Sequence, residues 1–259
     1  MCLIAFAWRV HPRWRLVLIG NRDEFHARAS ATLAHWPHSP VMAGRDLQAG
    51  GTWLGVTAAG RCAVVTNVRD PHASAAGSSR GLLVADYLAG ADNASTHAQI
   101  LRANAASYRP FNLLLFDADA ALFVGNRPRP QSRTIAPSVH ALSNADLDTP
   151  WPKTIGIQRR LQEWVEHAGG DLQSLFVALA DEQTAADASL PDTGIGLERE
   201  RWLSSAFIRG DRYGTRASTI VALGYDGSGT ILERSFAPDG SCAKETRLDF
   251  AMGSQLSGQ

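Results

Sequence analysis

The chain contains four pairs of short apolar runs, and a polar or glycine-containing turn joins the two runs of each pair. Two such runs on either side of a short turn predict a β-hairpin, in which the strands are antiparallel. The four predicted hairpins pair Cys2–Ala7 with Leu16–Asn21, Trp53–Thr57 with Cys62–Val68, Phe111–Phe116 with Ala121–Gly125, and Ile220–Tyr225 with Thr230–Phe236. A parallel sheet needs long crossovers instead of hairpins. The pattern therefore favours an α+β fold of antiparallel sheets covered by helices.

Helices are predicted between the hairpins. Capping residues and apolar periodicity predict them over Leu82–Leu88, Thr96–Ala105, a segment that begins at Asp148–Pro152, and Leu172–Ala180. A last strand is expected over Lys244–Phe250, and irregular structure is expected over Ala27–Pro40, Arg127–Pro137 and Thr184–Arg201. No linker divides the chain, so residues 1–250 are predicted to form a single domain and 251–259 a disordered tail.

Composition narrows the class of protein. The formal net charge is zero, so no basic excess indicates a nucleic-acid partner. The three cysteines are too few and too scattered for a disulfide framework, which favours a reducing compartment. The first apolar run ends at Arg9 and is too short for a signal peptide, and no run approaches the roughly 20 apolar residues of a membrane span. We therefore predict a cytoplasmic protein that does not span a membrane.

Cys2 stands directly after the initiator methionine. Removal of Met1 would leave a free α-amine and a thiol on one residue. An amine with a pKa of roughly 7.7–8.0 is partly neutral near pH 7 and can act as the base that activates the thiol. The alternative is that Cys2 is a small apolar residue at the start of a buried strand.

Polar residues follow three of the predicted strands. Arg22 and Asp23 follow the second strand, where an arginine would favour a thiolate and a carboxylate would orient the amine. Asn67 and Asn144 end two further strands and can each donate a hydrogen bond to a developing oxyanion. The alternatives are an ordinary Arg–Asp turn and asparagines that simply end strands.

Histidines offer little sign of a metal site. His35 and His38 form a close pair, but no third ligand is evident, and a surface loop is the preferred interpretation. We expect no resident metal or cofactor.

Several motifs together resemble one known family. They are Asn21-Arg22-Asp23-Glu24, Gly50–Gly55, Thr66-Asn67, Ser79-Arg80-Gly81, Leu142-Ser143-Asn144, Thr149-Pro150-Trp151 and Tyr213–Arg216. In this order they resemble the NRDE family, also called the transport and Golgi organisation protein 2 family. That family is similar to choloylglycine hydrolases and penicillin V acylases, which are N-terminal nucleophile hydrolases. The resemblance implies a four-layer αββα sandwich of two antiparallel sheets.

The resemblance also implies roles for individual residues. It makes Cys2 the nucleophile and base, Asp23 the partner of the amine, Arg22 a support for the thiolate, Asn67 and Asn144 oxyanion donors, and Arg216 a residue that orients and polarises the site. The hydrolases separate their arginine and aspartate, whereas Arg22 and Asp23 are adjacent here.

Two functions follow as hypotheses. The first is a cysteine N-terminal nucleophile amidohydrolase that cleaves a linear amide of a small acyl-amide or lipid-like ligand through a Cys2 thioester. The second is a non-catalytic protein of the same fold that binds or carries haem or lipid, because animal members of the family are linked to lipid metabolism and haem mobilisation. His140 is a candidate haem ligand in that second hypothesis.

Overall fold

Two antiparallel sheets form the centre of the protein. The computed structural model describes residues 2–72 and 76–253. The first sheet has six strands, in the spatial order β10 (Ser138–Leu142), β1 (Cys2–Trp8), β2 (Trp14–Phe25), β11 (Tyr213–Gly224), β12 (Ser228–Phe236) and β13 (Cys242–Ala251). The second has seven, in the order β3 (Ser30–His35), β4 (Val41–Asp46), β5 (Leu54–Thr57), β6 (Cys62–Asn67), β7 (Phe111–Phe116), β8 (Ala121–Gly125) and β9 (Gln131–Thr134).

Helices lie between the strands in the sequence. The α-helices are α1 (Arg80–Ala89), α2 (Ala94–Asn104), α3 (Pro152–Glu166), α4 (Phe176–Leu179) and α5 (Leu197–Trp202), and short 3-10 helices cover Ala105–Ser107, Leu172–Leu175 and Asp187–Ser189. None of the helices in the described ranges is both long and apolar enough to span a membrane.

Three apolar cores stack the elements into four layers. The central core lies between the sheets and includes Phe6 of β1 and Phe116 of β7, whose rings meet edge to face with centroids 5.2 Å apart. A second core packs the outer face of the first sheet against α3 and α4. A third packs the outer face of the second sheet against α1 and α2. The predicted αββα sandwich of two antiparallel sheets is confirmed.

All four predicted hairpins are present, but the second sheet contains strands that were expected to be irregular. β3 lies within Ala27–Pro40 and β9 within Arg127–Pro137. Each is an edge strand of the second sheet. In β3 only Leu33 is buried, and β9 has no fully buried side chain. The prediction was wrong there because an edge strand can form without the apolar alternation that marks a half-buried strand.

Two other boundaries differ from the prediction. β2 continues through the polar residues after Asn21 to Phe25, because β11 pairs with it along that whole length. Helix α5 lies inside the expected loop Thr184–Arg201 and extends one residue beyond it. Of the predicted tail, residues 254–259 lie outside the described residues.

Candidate active site

Cys2 begins β1 at one end of the sandwich. The register of β1 with β2 places it opposite Arg22. Side chains alternate between the two faces of a strand, and the next even-numbered residues, Ile4 and Phe6, belong to the core between the sheets. The Cys2 side chain therefore lies on the inter-sheet face, where it is half-buried and lines a cavity.

This Cys2 cavity is small and strongly polar. Its volume is about 100 Å³, whereas pockets that bury a drug-sized ligand have roughly 300–1,000 Å³. The charged residues that line it are Arg22, Asp23, Glu24, Arg28, Asp46, Arg80 and Arg109. The cavity therefore suits a compact polar group better than a long acyl chain.

The Cys2 thiol lies in an environment that disfavours its ionisation. Burial raises the pKa of the Cys2 thiol, and the negative charge of Asp23 acts in the same direction. The nearby Arg22 guanidinium opposes this shift but does not cancel it. The thiol is therefore protonated near neutral pH, and its activation requires a base.

Asp23 is buried and held by β11. Its Oδ1 accepts a hydrogen bond of 2.7 Å from the Thr215 hydroxyl, and its backbone oxygen accepts one of 3.1 Å from the Tyr213 hydroxyl. Burial raises the pKa of the Asp23 carboxyl, while the Lys153 ammonium and the Thr215 hydroxyl act against that rise. Asp23 lies two residues after Asn21, whose amide binds the backbone oxygens of Leu179 and Ala206 on the helical side of the sheet. Asp23 therefore lies on the face of the sheet opposite to the Cys2 thiol.

Arg22 packs against an aromatic ring of the second sheet. Its guanidinium carbon lies 4.4 Å from the centroid of the Trp53 ring, and its Nη2 lies 4.0 Å from Glu24 Oε2. Only 6% of Arg22 is exposed, and its Nη1 has no hydrogen-bond partner among the described residues. The structure thus places the Arg22 guanidinium beside Cys2.

Asn67 and Asn144 meet across the two sheets. Asn67 ends β6, and Asn144 follows β10 by two residues. Asn144 Nδ2 donates to the backbone oxygen of Asn67 at 3.0 Å and to its Oδ1 at 3.1 Å. Ser143 connects this pair to the nucleophile candidate, since its hydroxyl donates to the Cys2 backbone oxygen at 3.1 Å.

The amide group of Asn144 is fully used in this arrangement. Nδ2 carries two hydrogens, and both donate to Asn67. An oxyanion would therefore have to replace the side-chain oxygen of Asn67 as an acceptor. Asn67 itself lines the cavity.

Comparisons with known proteins identify the family of this chain. The family model described as Transport and Golgi organisation 2 matches residues 1–238. The chain belongs to the Transport and Golgi organisation 2 family. The resemblance seen in the sequence motifs is confirmed.

Relatives in this family match nearly the whole chain. The Bos taurus Transport and Golgi organization protein 2 homolog is 33% identical over 257 residues, which cover 91% of this chain and 93% of the relative. The Mus musculus Transport and Golgi organization 2 homolog is 30% identical over 267 residues, which cover 95% and 97%.

A solved structure shares the architecture of this family member. The C2A mutant of conjugated bile acid hydrolase from Clostridium perfringens superposes with a TM-score of 0.54 and 8% identity, covering 96% of this chain and 92% of that chain. At so low an identity the similarity shows the fold alone, which is that of the N-terminal nucleophile hydrolases.

Of the predicted site residues, Asn144 and Arg216 do not line the Cys2 cavity. Asn144 still binds Asn67, whereas Arg216 makes its contacts elsewhere. Its Nη1 donates to the backbone oxygens of Phe25, His26 and Arg28 at 3.1, 3.0 and 3.3 Å. It lines a separate cavity on the other side of Arg22. In this geometry Arg216 fixes the segment after β2.

Lys153, which the sequence analysis missed, interacts electrostatically with Asp23 and Cys2 although it does not line the cavity. It lies in the first turn of α3, is 6% exposed, and its Nζ has no hydrogen-bond partner among the described residues. Burial lowers the pKa of Lys153 to about 8, although attraction to Asp23 works against that fall. A cation is unfavourable at a helix N-terminus. A lysine directly after Pro150-Trp151-Pro152, where the helix starts, was therefore the sequence signal that could have drawn attention to Lys153.

Arg80 and Arg109 also line the cavity without having been predicted. The signal for Arg80 was present, because Ser79-Arg80-Gly81 is one of the family motifs, but no role was attached to it. No group of three or more potential metal ligands occurs within the described ranges, and His35 and His38 are both exposed.

Proposed function

We propose that this protein is a cysteine N-terminal nucleophile amidohydrolase that cleaves a linear C–N bond of a small acyl amide. The observation that carries the proposal is a small cavity that Cys2, Asp23 and Asn67 line, with Asn144 hydrogen-bonded to Asn67. The shared fold with conjugated bile acid hydrolase supports it.

The first half of the reaction forms a thioester. The neutral α-amine of a mature Cys2 removes the proton from its own thiol, and the sulfur attacks the carbonyl carbon of the amide. The carbonyl oxygen becomes an oxyanion beside the Asn67–Asn144 pair. Collapse of this intermediate breaks the C–N bond, and the ammonium returns its proton to the leaving amine.

The second half restores the enzyme. A water molecule gives a proton to the α-amine and attacks the thioester carbonyl. The C–S bond breaks, the carboxylic acid leaves, and the sulfur recovers the proton from the ammonium. The amine therefore serves as base and acid in turn.

Asp23 supports the amine rather than the sulfur in this scheme. Its carboxylate lies on the opposite face of the sheet from the thiol, with the backbone of β1 beside it. A carboxylate in that position holds an ammonium at the start of β1 and orients the amine so that it can act as the base for the Cys2 thiol. The same charge raises the pKa of the thiol, which is why the amine is needed as base.

The test is hydrolysis of an acyl-amide panel by the wild type and by Cys2→Ala. We expect Cys2→Ala to lose turnover entirely and to lose alkylation by iodoacetamide at residue 2. Cys242→Ala is the matched control, because Cys242 is an exposed cysteine outside the cavity, and it should keep full turnover. Equal turnover by Cys2→Ala and the wild type would refute the proposal.

Binding of haem or lipid without catalysis remains the second hypothesis. His140 is poorly placed as a haem ligand, because its Nδ1 bonds Asp148 at 2.7 Å and its Nε2 bonds the Ala136 backbone oxygen at 3.0 Å. The Cys2 cavity is also much smaller than a ligand of that size needs. A haem titration followed by absorption spectroscopy tests this hypothesis, and a Soret shift would support it.

A further inference from the structure

The first turn of α1 forms one wall of the Cys2 cavity. Ser79, Arg80 and Gly81 all line it. The first turn contains no acidic residue, and the N-cap Ser79 makes no side-chain hydrogen bond to the helix. The partial positive charge and free N–H groups of a helix N-terminus favour an anion.

A glycine contact fixes this helix end against the cavity. A Cβ on Gly51 would lie 2.3 Å from the backbone carbon of Gly81, and a Cβ on Gly81 would lie 3.0 Å from the Thr52 backbone oxygen. Only glycine allows the loop before β5 to approach the helix so closely. The wall of the cavity is therefore a built feature of the fold.

Two of the four arginines that line the cavity, Arg28 and Arg22, lie near carboxylates. Arg28 binds Asp46 through Nε at 3.0 Å and Nη2 at 2.7 Å, and it also lies 3.7 Å from Glu24. Arg22 also pairs with Glu24, but its Nη2 lies 4.0 Å from Glu24 Oε2. Its buried Nη1 has no hydrogen-bond partner in the described parts of the chain. A buried guanidinium nitrogen without an acceptor is costly, and an acceptor in the cavity would satisfy it.

The other two arginines form no ion pair with any described residue. Arg80 is half-buried, and its Nη1 donates only to the Pro110 backbone oxygen at 3.3 Å. Arg109 is exposed at the edge of the cavity. Burial lowers the pKa of Arg80, and repulsion from Arg109 adds to this effect. Both arginines line the same cavity, and an anion bound there would relieve the repulsion between their charges.

We infer that the Cys2 cavity binds a compact oxyanion, a carboxylate or a phosphate, held by the first turn of α1 together with Arg22, Arg80 and Arg109. Since the cavity measures only about 100 Å³ and contains the thiol, the anionic group lies close to the bond that Cys2 attacks. The preferred substrate is therefore an acyl amide with an acidic group near its amide. The statement about substrate rests on the proposed function, whereas the anion site itself does not.

Alkylation of Cys2 by two reagents of nearly equal size tests the inference without requiring turnover. Iodoacetate and iodoacetamide both lose iodide as the Cys2 sulfur forms an S–CH₂ bond, but only iodoacetate carries a carboxylate. The ratio of their rate constants at Cys2 cancels the intrinsic reactivity of the thiol. Both are measured by peptide mass spectrometry in a Cys242→Ala background.

We expect Arg80→Met and Arg109→Met to lower the iodoacetate-to-iodoacetamide ratio by roughly tenfold each, since fixed charges in a cleft raise the local concentration of an opposite charge. Arg102→Met is the matched control, because Arg102 is exposed on α2 away from the cavity, and it should leave the ratio unchanged. Arg109→Met is the safer variant, because an exposed side chain is not needed for folding.

Protection experiments identify the oxyanion. Acetate and inorganic phosphate are added at equal ionic strength, with chloride as reference, and the anion that slows Cys2 alkylation by iodoacetate is the one that the site accepts. Protection by either anion, lost in Arg109→Met, supports the inference. An unchanged alkylation ratio in both folded arginine variants would overturn it. If the protein passes this test but hydrolyses no amide, the anion site stands and only the proposed function is refuted.

Discussion

At the scale of single residues, the site depends on charges that are buried close together. Asp23 must be ionised to hold the α-amine, yet burial raises the pKa of its carboxyl. The Lys153 ammonium is the first side chain that counteracts this rise. Lys153 in turn has a pKa of about 8 and loses its charge as the pH rises through that value.

Lys153→Met should therefore raise the pKa of Asp23. Because it also removes a cation that attracts the Cys2 thiolate, it should raise the pKa of the thiol and move the Cys2 alkylation profile to higher pH. Lys153→Arg keeps the positive charge and should restore the profile toward that of the wild type. The measurement is the rate of iodoacetamide alkylation at Cys2 between pH 4 and pH 9. Superimposable profiles for Lys153→Met and the wild type would show that Lys153 has only a structural role.

Asn144 bonds Asn67 across the two sheets, and its replacement should affect stability and turnover. Asn144→Ala removes two donors from Asn67 and should cost about 1–3 kcal/mol in the free energy of unfolding. Loss of an oxyanion donor should also lower turnover by about 10²–10³-fold. Asn104→Ala, at an exposed asparagine, is the control for stability. Denaturant unfolding and steady-state kinetics measure the two effects, and a fully active Asn144→Ala would remove Asn144 from the oxyanion site.

At the scale of elements, one glycine contact joins the loop before β5 to helix α1. Gly51→Ala should force the two backbones apart, since the new Cβ would clash with Gly81. We expect a loss of about 1–3 kcal/mol in the free energy of unfolding. Gly156→Ala is the opposite case, because its Cβ would meet no atom within 4 Å in the middle of α3.

Gly156→Ala should therefore stabilise the protein by about 0.5–1 kcal/mol, which is the difference in helix propensity between the two residues. Urea unfolding of both variants gives the comparison. A destabilised Gly156→Ala together with an unaffected Gly51→Ala would contradict the packing described here.

The sequence predicted elements well where they carry apolar residues on a regular period. Phe111–Phe116 and Ala121–Gly125 have the predicted bounds, because both strands are buried throughout. The edge strands β3 and β9 were missed because solvent covers much of their length. For the candidate site, the sequence signal was the set of polar residues at strand ends, and the structure places Asp23, Asn67 and Asn144 near the end of the sandwich where Cys2 lies. The position of Arg216 could not, because an irregularity in the pairing of β11 decides where its side chain lies.

At the scale of the whole molecule, the sandwich brings residues from distant parts of the chain to one end. Cys2 comes from one sheet, Asn67 from the other, and Arg80 from the helix that covers the second sheet. Hydrogen bonds at this end cross between the sheets, as in the 2.6 Å bond from the Thr66 hydroxyl to the Ser143 backbone oxygen. The apolar core holds the sheets together, and the polar end determines the chemistry.

Mass spectrometry of the N-terminal peptide tests the central claim most directly. The wild type is mixed with an acyl amide that it hydrolyses, and the reaction is quenched rapidly with acid. The account predicts a peptide that begins at Cys2 and carries the acyl group on its sulfur. A population that retains Met1 and hydrolyses the amide with no acyl group on Cys2 would contradict it.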